Sequence, residues 1–427
     1  MSIFEKLPPV PLAQSEQEYD CANGAFMRVF GGASAADFGA YRDLLISAGF
    51  SLYTETELED NYSADLTGSG ITVHLFFSGN DGILRVIADP YTALPAKEPL
   101  HINGGITPAF YLFETDHSLI DCGMCLILQF ADGSFFVVDS AHSFSVNDND
   151  RIHDFLRERT PANQKIRIAG WFFTHGHSDH VCKFCDFLEY NCADVEIEGF
   201  YYNFVPVTHR DADNWNTSEK NRITRFVSLV DERSDIPKYK LHSLQQFYIR
   251  DFKFTVLTTH EDVYPNSVAD FNDSSTALMV EYGGTKICIP GDASRNASDV
   301  MTARYPKYLK CDIMQLSHHG HTGCRQAFYE LAAAPLLLIP NTHIKFDEEY
   351  PRLIEDRIAV GLSKEHYISS DGTVKVPLPY GSGKVTVLPD ETTEDFNGIY
   401  DLWQYTYTDE FKRDIYNGYL SRGGKEK

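Results

Sequence analysis

Positions 172 to 180 read Phe172-Phe173-Thr174-His175-Gly176-His177-Ser178-Asp179-His180, and no other run in the 427-residue chain constrains its folding as tightly. The apolar stretch leading into it, residues 165–174, has the β-branched and aromatic content of a strand, and the stretch after Asp179 has helical spacing. Three histidines and an aspartate therefore sit at a strand-to-helix corner. In an extended segment side chains two apart face the same way, so His175, His177 and Asp179 can converge while His180 turns in as the helix begins. Gly176 and Ser178 are small enough to let the corner close. Neutral imidazoles with a carboxylate suit zinc, iron or manganese. The bland alternative, a polar loop that caps the helix and bonds to water, accounts for one histidine better than for this four-residue pattern.

Two later strands end in the same kind of chemistry. Residues 286–290 run straight into Gly291-Asp292-Ala293-Ser294, and residues 312–317 end at His318-His319-Gly320-His321. With 16 histidines in the chain, ten positions taken at random would carry about 0.4 of one. Positions 175–180 and 318–321 carry six. An aspartate after a strand is ordinarily a turn or capping residue. Beside a histidine cluster it gains a second reading, because two cations roughly 3.5–4 Å apart need a bridging carboxylate.

The rest of the chain divides around these motifs. Residues 1–100 read as a small α/β domain, with a helix over 36–48 and a hairpin of 71–77 and 83–88 around Gly79-Asn80-Asp81-Gly82. A proline-rich linker follows. Residues 105–390 alternate short strands (122–130, 134–138, 165–174) with helices after Asp179, after Thr217-Ser218-Glu219 and over 325–334, which predicts a layered α/β domain. Residues 391–427, aromatic yet charged, read as a docking tail. Nine cysteines, an odd and scattered count, suit reduced thiols better than a disulfide framework. The pairs Cys122/Cys125 and Cys182/Cys185 lie far apart in apolar stretches and read as packed thiols, not as a zinc knot.

A formal charge of −24 repels polyanions, so long nucleic acid and anionic membranes are poor partners. No apolar run approaches the roughly 18 residues needed to span a bilayer. The N-terminus lacks the apolar stretch of a secretory signal, and the expected location is cytoplasmic.

The motifs in this order resemble the metallo-β-lactamase superfamily through His-x-His-x-Asp-His at 175–180. They are most similar to the hydrolase domain of DNA-internalisation competence proteins and to phosphorylcholine esterases, through Asn272-Asp273-Ser274-Ser275, Gly291-Asp292-Ala293, His318-His319-Gly320, Tyr350-Pro351 and Tyr367-Ile368-Ser369-Ser370-Asp371-Gly372. The resemblance implies a four-layer αββα sandwich over 105–390 and says nothing about residues 1–100 or the tail. It implies two divalent ions, zinc first and manganese or iron next. His175 and His177 would hold one, Asp179 and His180 the other, and Asp292 would bridge them. Of the late pair His319 is the favoured ligand and His318 the favoured donor to substrate, although sequence does not separate them. Asp139 would orient the histidine loop, or simply end its strand. Where many superfamily members carry a further histidine this chain has Asn272-Asp273-Ser274. His260 is the best substitute, ahead of His209 and His242, and His321 stands where it can touch substrate.

The expected function is a dinuclear metal-dependent hydrolase, a phosphodiesterase acting on a small or zwitterionic phosphoester through a metal-bridging hydroxide, with Asp179 and His318 as the groups at the reacting centre. Phe200, Tyr201, Tyr202, Phe204 and Trp215 could wall a pocket, although core packing explains them more simply. Two other readings use the same site: a carboxyl-ester, lactone or thioester hydrolase, and a non-catalytic metal-binding module.

Overall fold

A computed structural model describes residues 3–388 apart from 13–15, 103, 117–122, 144, 146, 209–214, 216, 264–267, 269, 270, 344 and 347–352. Cys122, His209, Tyr350, Pro351 and the tail 391–427 lie outside the described residues.

The first 90 residues form one six-stranded antiparallel sheet: β1 (Glu16–Asp20), β2 (Phe26–Phe30), β3 (Ser51–Leu58), β4 (Asn61–Gly68), β5 (Ile71–Ser78) and β6 (Ile83–Pro90), in the spatial order β1-β2-β6-β5-β4-β3. Helix α1 (Ala35–Ser47) opens with a capping box in which Ser34 and Asp37 satisfy each other's backbone N–H groups. It packs Phe38, Tyr41 and Leu45 on one face of the sheet, against Leu66, Val73, Leu75 and Val86. The hairpin of β5 and β6 is legible in the sequence. β3 and β4 are not, because Thr54 bonds to Asp65 across the sheet while Asn61 and Ser63 bond to carbonyls of the second unit, leaving polar residues where an apolar face would show.

The remaining strands build two sheets. One joins β7 (Ala109–Leu112), β8 (Cys125–Gln129), β9 (Phe135–Asp139), β10 (Ile166–Phe172), β11 (Val195–Ile197), β12 (Phe200–Tyr202), β13 (Lys238–Lys240), β21 (Val374–Pro377) and β22 (Thr386–Val387). The other runs in order through β14 (Gln246–Ile249), β15 (Phe252–Thr258), β16 (Ala277–Tyr282), β17 (Thr285–Ile289), β18 (Ile313–Gln315), β19 (Leu336–Ile339) and β20 (Glu365–Ile368).

Period-two alternation sorts every strand between two cores. In β9, Phe136 and Val138 face the opposite sheet and share a core with its Phe254 and Ile289. Phe135 and Val137 face outward to α2 (Asp148–Glu158), α3 (Ser178–Tyr190) and α4 (Thr217–Glu232). In β17, Ile287 and Ile289 point inward and Cys288 outward, to α5 (Arg295–Arg304), α6 (Gln326–Ala332) and α7 (Ile354–Leu362). Helices, sheet, sheet, helices: residues 105–388 form a four-layer αββα sandwich, with the N-terminal α/β unit added. Strands this apolar on both faces are what two-sided burial demands. Among the described residues no helix is long and apolar enough to cross a membrane.

The N-terminal sheet meets the sandwich through a buried polar seam. His74 pairs with Asp65 at 2.8 Å and with the Ser243 carbonyl at 3.0 Å, and its ring stacks 4.9 Å from that of His242. Gln245 donates to Asp65, Ser63 to the Leu244 carbonyl and Asn61 to the Arg304 carbonyl. Buried polar groups are tolerated when each finds a partner, and here one unit supplies the partners of the other.

Candidate metal centre

Strand β9 runs parallel to β10 and β17 parallel to β18, and their carboxyl ends lie along one edge of the sandwich. This is where open α/β sheets place ligands. β10 ends into His175–His180, β17 into Gly291-Asp292 and β18 into His318-His319. Backbone bonds lock the three loops together: Thr276 N–H donates to the Thr174 carbonyl, His318 N–H to the Gly291 carbonyl, and Met124 N–H to the Asp179 carbonyl. The Gln315 amide grips Gly291 from both sides, accepting from its N–H at 2.9 Å and donating to its carbonyl at 3.0 Å.

Two overlapping groups of ligand atoms result. One contains Asp179, His180, Asp292 and His319, the other His175, His177 and Asp292, and within each group the atoms lie within 4.8 Å of one another. Asp292 belongs to both. Its Oδ2 lies 3.2 Å from His180 Nε2, 3.5 Å from His319 Nε2 and 3.8 Å from His175 Nε2. His319 Nε2 is 3.2 Å from Asp179 Oδ2 and 3.3 Å from His180 Nε2, and His175 Nε2 is 2.9 Å from His177 Nδ1. Ring nitrogens converge here without intervening apolar atoms. Asp292 is 1 % exposed, yet its Oδ1 has no hydrogen-bond partner among the described residues. An orphaned buried carboxylate oxygen is costly, and a cation between the two groups removes that cost. By donor type and by this oxygen, the residues fit divalent metal ions.

A supporting shell fixes the rings. His180 Nδ1–H donates to Asp139 Oδ2 at 2.7 Å, which leaves Nε2 facing Asp292. Asp139 also accepts from the Thr174 N–H and hydroxyl, and its own carbonyl accepts from Trp171 Nε1 at 3.0 Å. His319 Nδ1–H donates to the Pro340 carbonyl at 2.8 Å, which turns its Nε2 inward. A hydrogen bond on the far nitrogen is the usual way a ligand imidazole is oriented. Thr174, Trp171 and Pro340 were not singled out in the sequence. Thr174 alone carried a signal, since it adjoins the motif.

Electrostatics follow from burial and crowding. Burial opposes charge on His180, yet the carboxylates of Asp292, Asp179 and Asp139 outweigh it and lift the ring to about 10. His319 is raised for the same reasons. Burial and neighbouring rings push His175 well below the ordinary histidine value, and burial lowers His177. Burial opposes ionisation of Asp179 and Asp292, but the imidazoles hold both well below the usual carboxylate range. Asp179 also lies in the first turn of α3, where the helix N-terminus favours a negative charge.

Backbone conformation marks the same place. Asp139, His318 and His319 all adopt left-handed φ values, of 56°, 50° and 57°, which non-glycine residues accept at a cost and which cluster at functional sites.

His318 stands outside both groups, 4.0 Å from Asp292 Oδ2 and 3.5 Å from the Asn272 amide nitrogen, with its side chain 20 % exposed. Burial lowers its pKa, so the ring is neutral near pH 7. His321 meets it edge-on, with ring centroids 5.3 Å apart. His260 is not brought to the cluster. The turn after β15 aims its ring at the end of β12, where Nε2 lies 3.1 Å from Asn203 Oδ1 on the wall of a separate cavity of about 280 Å³. His242 lies in the connection before β14, not in a strand, and pairs with Glu261 and Asp89 in the seam. Phe200 and Tyr201 are core residues. Trp215 packs on Phe271, whose ring rests 4.6 Å from that of His177.

No protein-family model matches the sequence, and no curated protein does. Solved structures that align with the chain include unliganded yeast PDE1, at 12% identity and TM-score 0.37 over 64% of this chain and 100% of that one. The CmlA beta-hydroxylase, in mutant form, aligns at 9% identity and TM-score 0.36 over 64% of this chain and 54% of that one, so the chain spans about half its length. A Thermotoga maritima protein described as a Zn-dependent hydrolase of the metallo-beta-lactamase superfamily aligns at 8% identity and TM-score 0.25 over 54% and 74%.

Proposed function

We propose that this chain is a dinuclear metal-dependent hydrolase that cleaves a phosphoester in a small neutral or zwitterionic molecule. The observation that supports it most is the carboxylate of Asp292, common to both ligand groups and carrying a buried oxygen without a partner. In this reading His175, His177 and Asp292 hold one cation, and Asp179, His180, His319 and Asp292 hold the other. Bound there, divalent cations supply a water ionised near neutral pH and a positive field for the developing charge on phosphorus oxygens.

The chain's own residues do the rest. Asp139 and the Pro340 carbonyl hold His180 and His319 in the tautomers that present Nε2. His318, open to the edge of the site, is placed to donate a ring N–H hydrogen bond to a substrate oxygen. The Asn272 amide beside it can donate to a non-bridging oxygen of the substrate. The net charge of −24 favours a compact substrate over a polyanion.

Two measurements test this. Elemental analysis of protein purified without added metal should find close to two divalent ions per chain, zinc above manganese or iron. Turnover on chromogenic esters should then favour a p-nitrophenyl phosphodiester over p-nitrophenyl acetate and lactones. Lactone or acetate turnover alone would replace the phosphoester reading with carboxyl-ester chemistry. Bound metal with no turnover at all would leave a non-catalytic metal-binding module.

A further inference from the structure

The cavity of about 280 Å³ that His260 borders lies where the N-terminal unit meets the sandwich. The N-terminal unit supplies the turn between β1 and β2 and the end of β6, and the sandwich supplies the residues after β12 together with Lys238 and Lys240 of β13. None of them belongs to the metal-ligand groups. Junctions of this kind are where small-molecule sites tend to form, and the volume is close to the lower end of their usual range.

Its polar side is a closed circuit of charge. Lys240 Nζ donates to Asp89 Oδ1 at 2.5 Å and lies 3.5 Å from Glu261 Oε1. His242 joins the same two acids, with Nε2 3.0 Å from Asp89 Oδ2 and Nδ1 2.7 Å from Glu261 Oε2. Burial opposes charge on His242, yet the two carboxylates overcome it and hold the ring at about 9. Two cations therefore face two anions, and the circuit carries no net charge near pH 7. Lys238, the other cation on the wall, is partly exposed and has Asp231 at 3.7 Å. A charged ligand buried beside a balanced circuit would find no counter-charge, which is costly. An oxygen acceptor is a different matter, because an ammonium has three N–H donors and the circuit draws on two of them at most. Elsewhere the wall is contributed by Pro90, Tyr91, Phe204 and Pro206, whose rings suit a flat apolar partner.

We infer that this cavity binds a small, uncharged planar molecule with a carbonyl or carboxamide oxygen, its ring against the proline and aromatic residues of the wall and its oxygen accepting from Lys240. Such a ligand touches both units at once, so binding holds them together. The inference is independent of the hydrolase reading, since no metal ligand takes part in it.

The test is thermal unfolding and titration calorimetry of the full chain with three probes that share one aromatic ring: neutral benzamide, anionic benzoate and cationic benzylamine, at equal ionic strength. In wild type, saturating benzamide should raise Tm by about 2 °C or more. Benzoate and benzylamine, each in tenfold excess, should fail to displace it. Thr92→Trp, at a half-buried position on the cavity wall, should lose the benzamide shift by filling the space while leaving the circuit of charge in place. Lys240→Met should reverse the preference, because two acids then face His242 alone and benzylamine becomes the tightest of the three. The competition in wild type decides the matter even if either variant does not fold. No shift with benzamide, its displacement from wild type by either charged probe, a benzamide shift of equal size in Thr92→Trp, or an unchanged preference in folded Lys240→Met overturns the proposal.

Discussion

At the level of single residues, the candidate centre separates groups that would hold a metal from groups that aim them. His177 faces its partners directly, so His177→Ala should lower bound metal towards one ion per chain and reduce turnover by at least about 100-fold, read by elemental analysis and steady-state kinetics. Asp139 acts through His180 and Thr174. Asp139→Asn keeps the size and some of the hydrogen bonds but not the charge, so the protein should stay folded while metal affinity falls about 10–100-fold in a chelator competition. An unchanged affinity would mean that Asp139 only ends its strand. The histidine motif was fully legible in the sequence because every member lies within six positions. Pro340 was not. It contributes a backbone carbonyl from a loop remote in sequence, and a carbonyl leaves no trace in residue identity. His260 misled for the opposite reason: it has the right chemistry and the right distance along the chain, but the turn after β15 spends it on Asn203.

Secondary-structure elements bring the centre together by how closely their ends approach. Gly291 has φ +61°, and a Cβ there would sit 2.8 Å from the Thr174 side chain, so only glycine lets the end of β17 lie against the end of β10. Gly291→Ala should therefore cost about 1–3 kcal/mol, measured by urea unfolding, and should also weaken metal binding, because Thr174 carries Asp139 and His180 with it. A loss of stability with metal affinity intact would show that the two loops are not coupled. Several strands of the sandwich, among them those at 134–138, 165–174 and 286–290, were legible from their apolar runs, since burial on both faces leaves little room for polar residues. β3 and β4 escaped notice because sheet hydrogen bonding and cross-strand pairs specify them without an apolar signature. The helices expected after Asp179 and after Thr217-Ser218-Glu219 are present, but α3 and α4 begin a little earlier, at Ser178 and Thr217.

Taken whole, the molecule depends on the charged seam between the N-terminal sheet and the sandwich. Burial disfavours the charged form of His242, yet Glu261 and Asp89 overcome this and lift it to about 9, against roughly 6.5 in an unfolded chain. Its contribution, on the order of 3 kcal/mol, is therefore complete below about pH 6.5 and is lost as pH rises through 9. Unfolding free energy should fall over that window, and in His242→Gln the fall should be shallower, both proteins being compared free of metal so that His180 and His319 contribute equally. A slope identical in the two proteins would remove His242 from the account. Chelation should independently lower Tm, since ions that bind only the folded chain stabilise it by mass action.

The same boundary has an evolutionary corollary. Asn61, Ser63 and His74 satisfy the carbonyls of Arg304, Leu244 and Ser243, groups that a free-standing sandwich would have to hydrate or cover in some other way. Separating either portion would strand the other's dipoles, so an exchange of one without the other should cost stability in both.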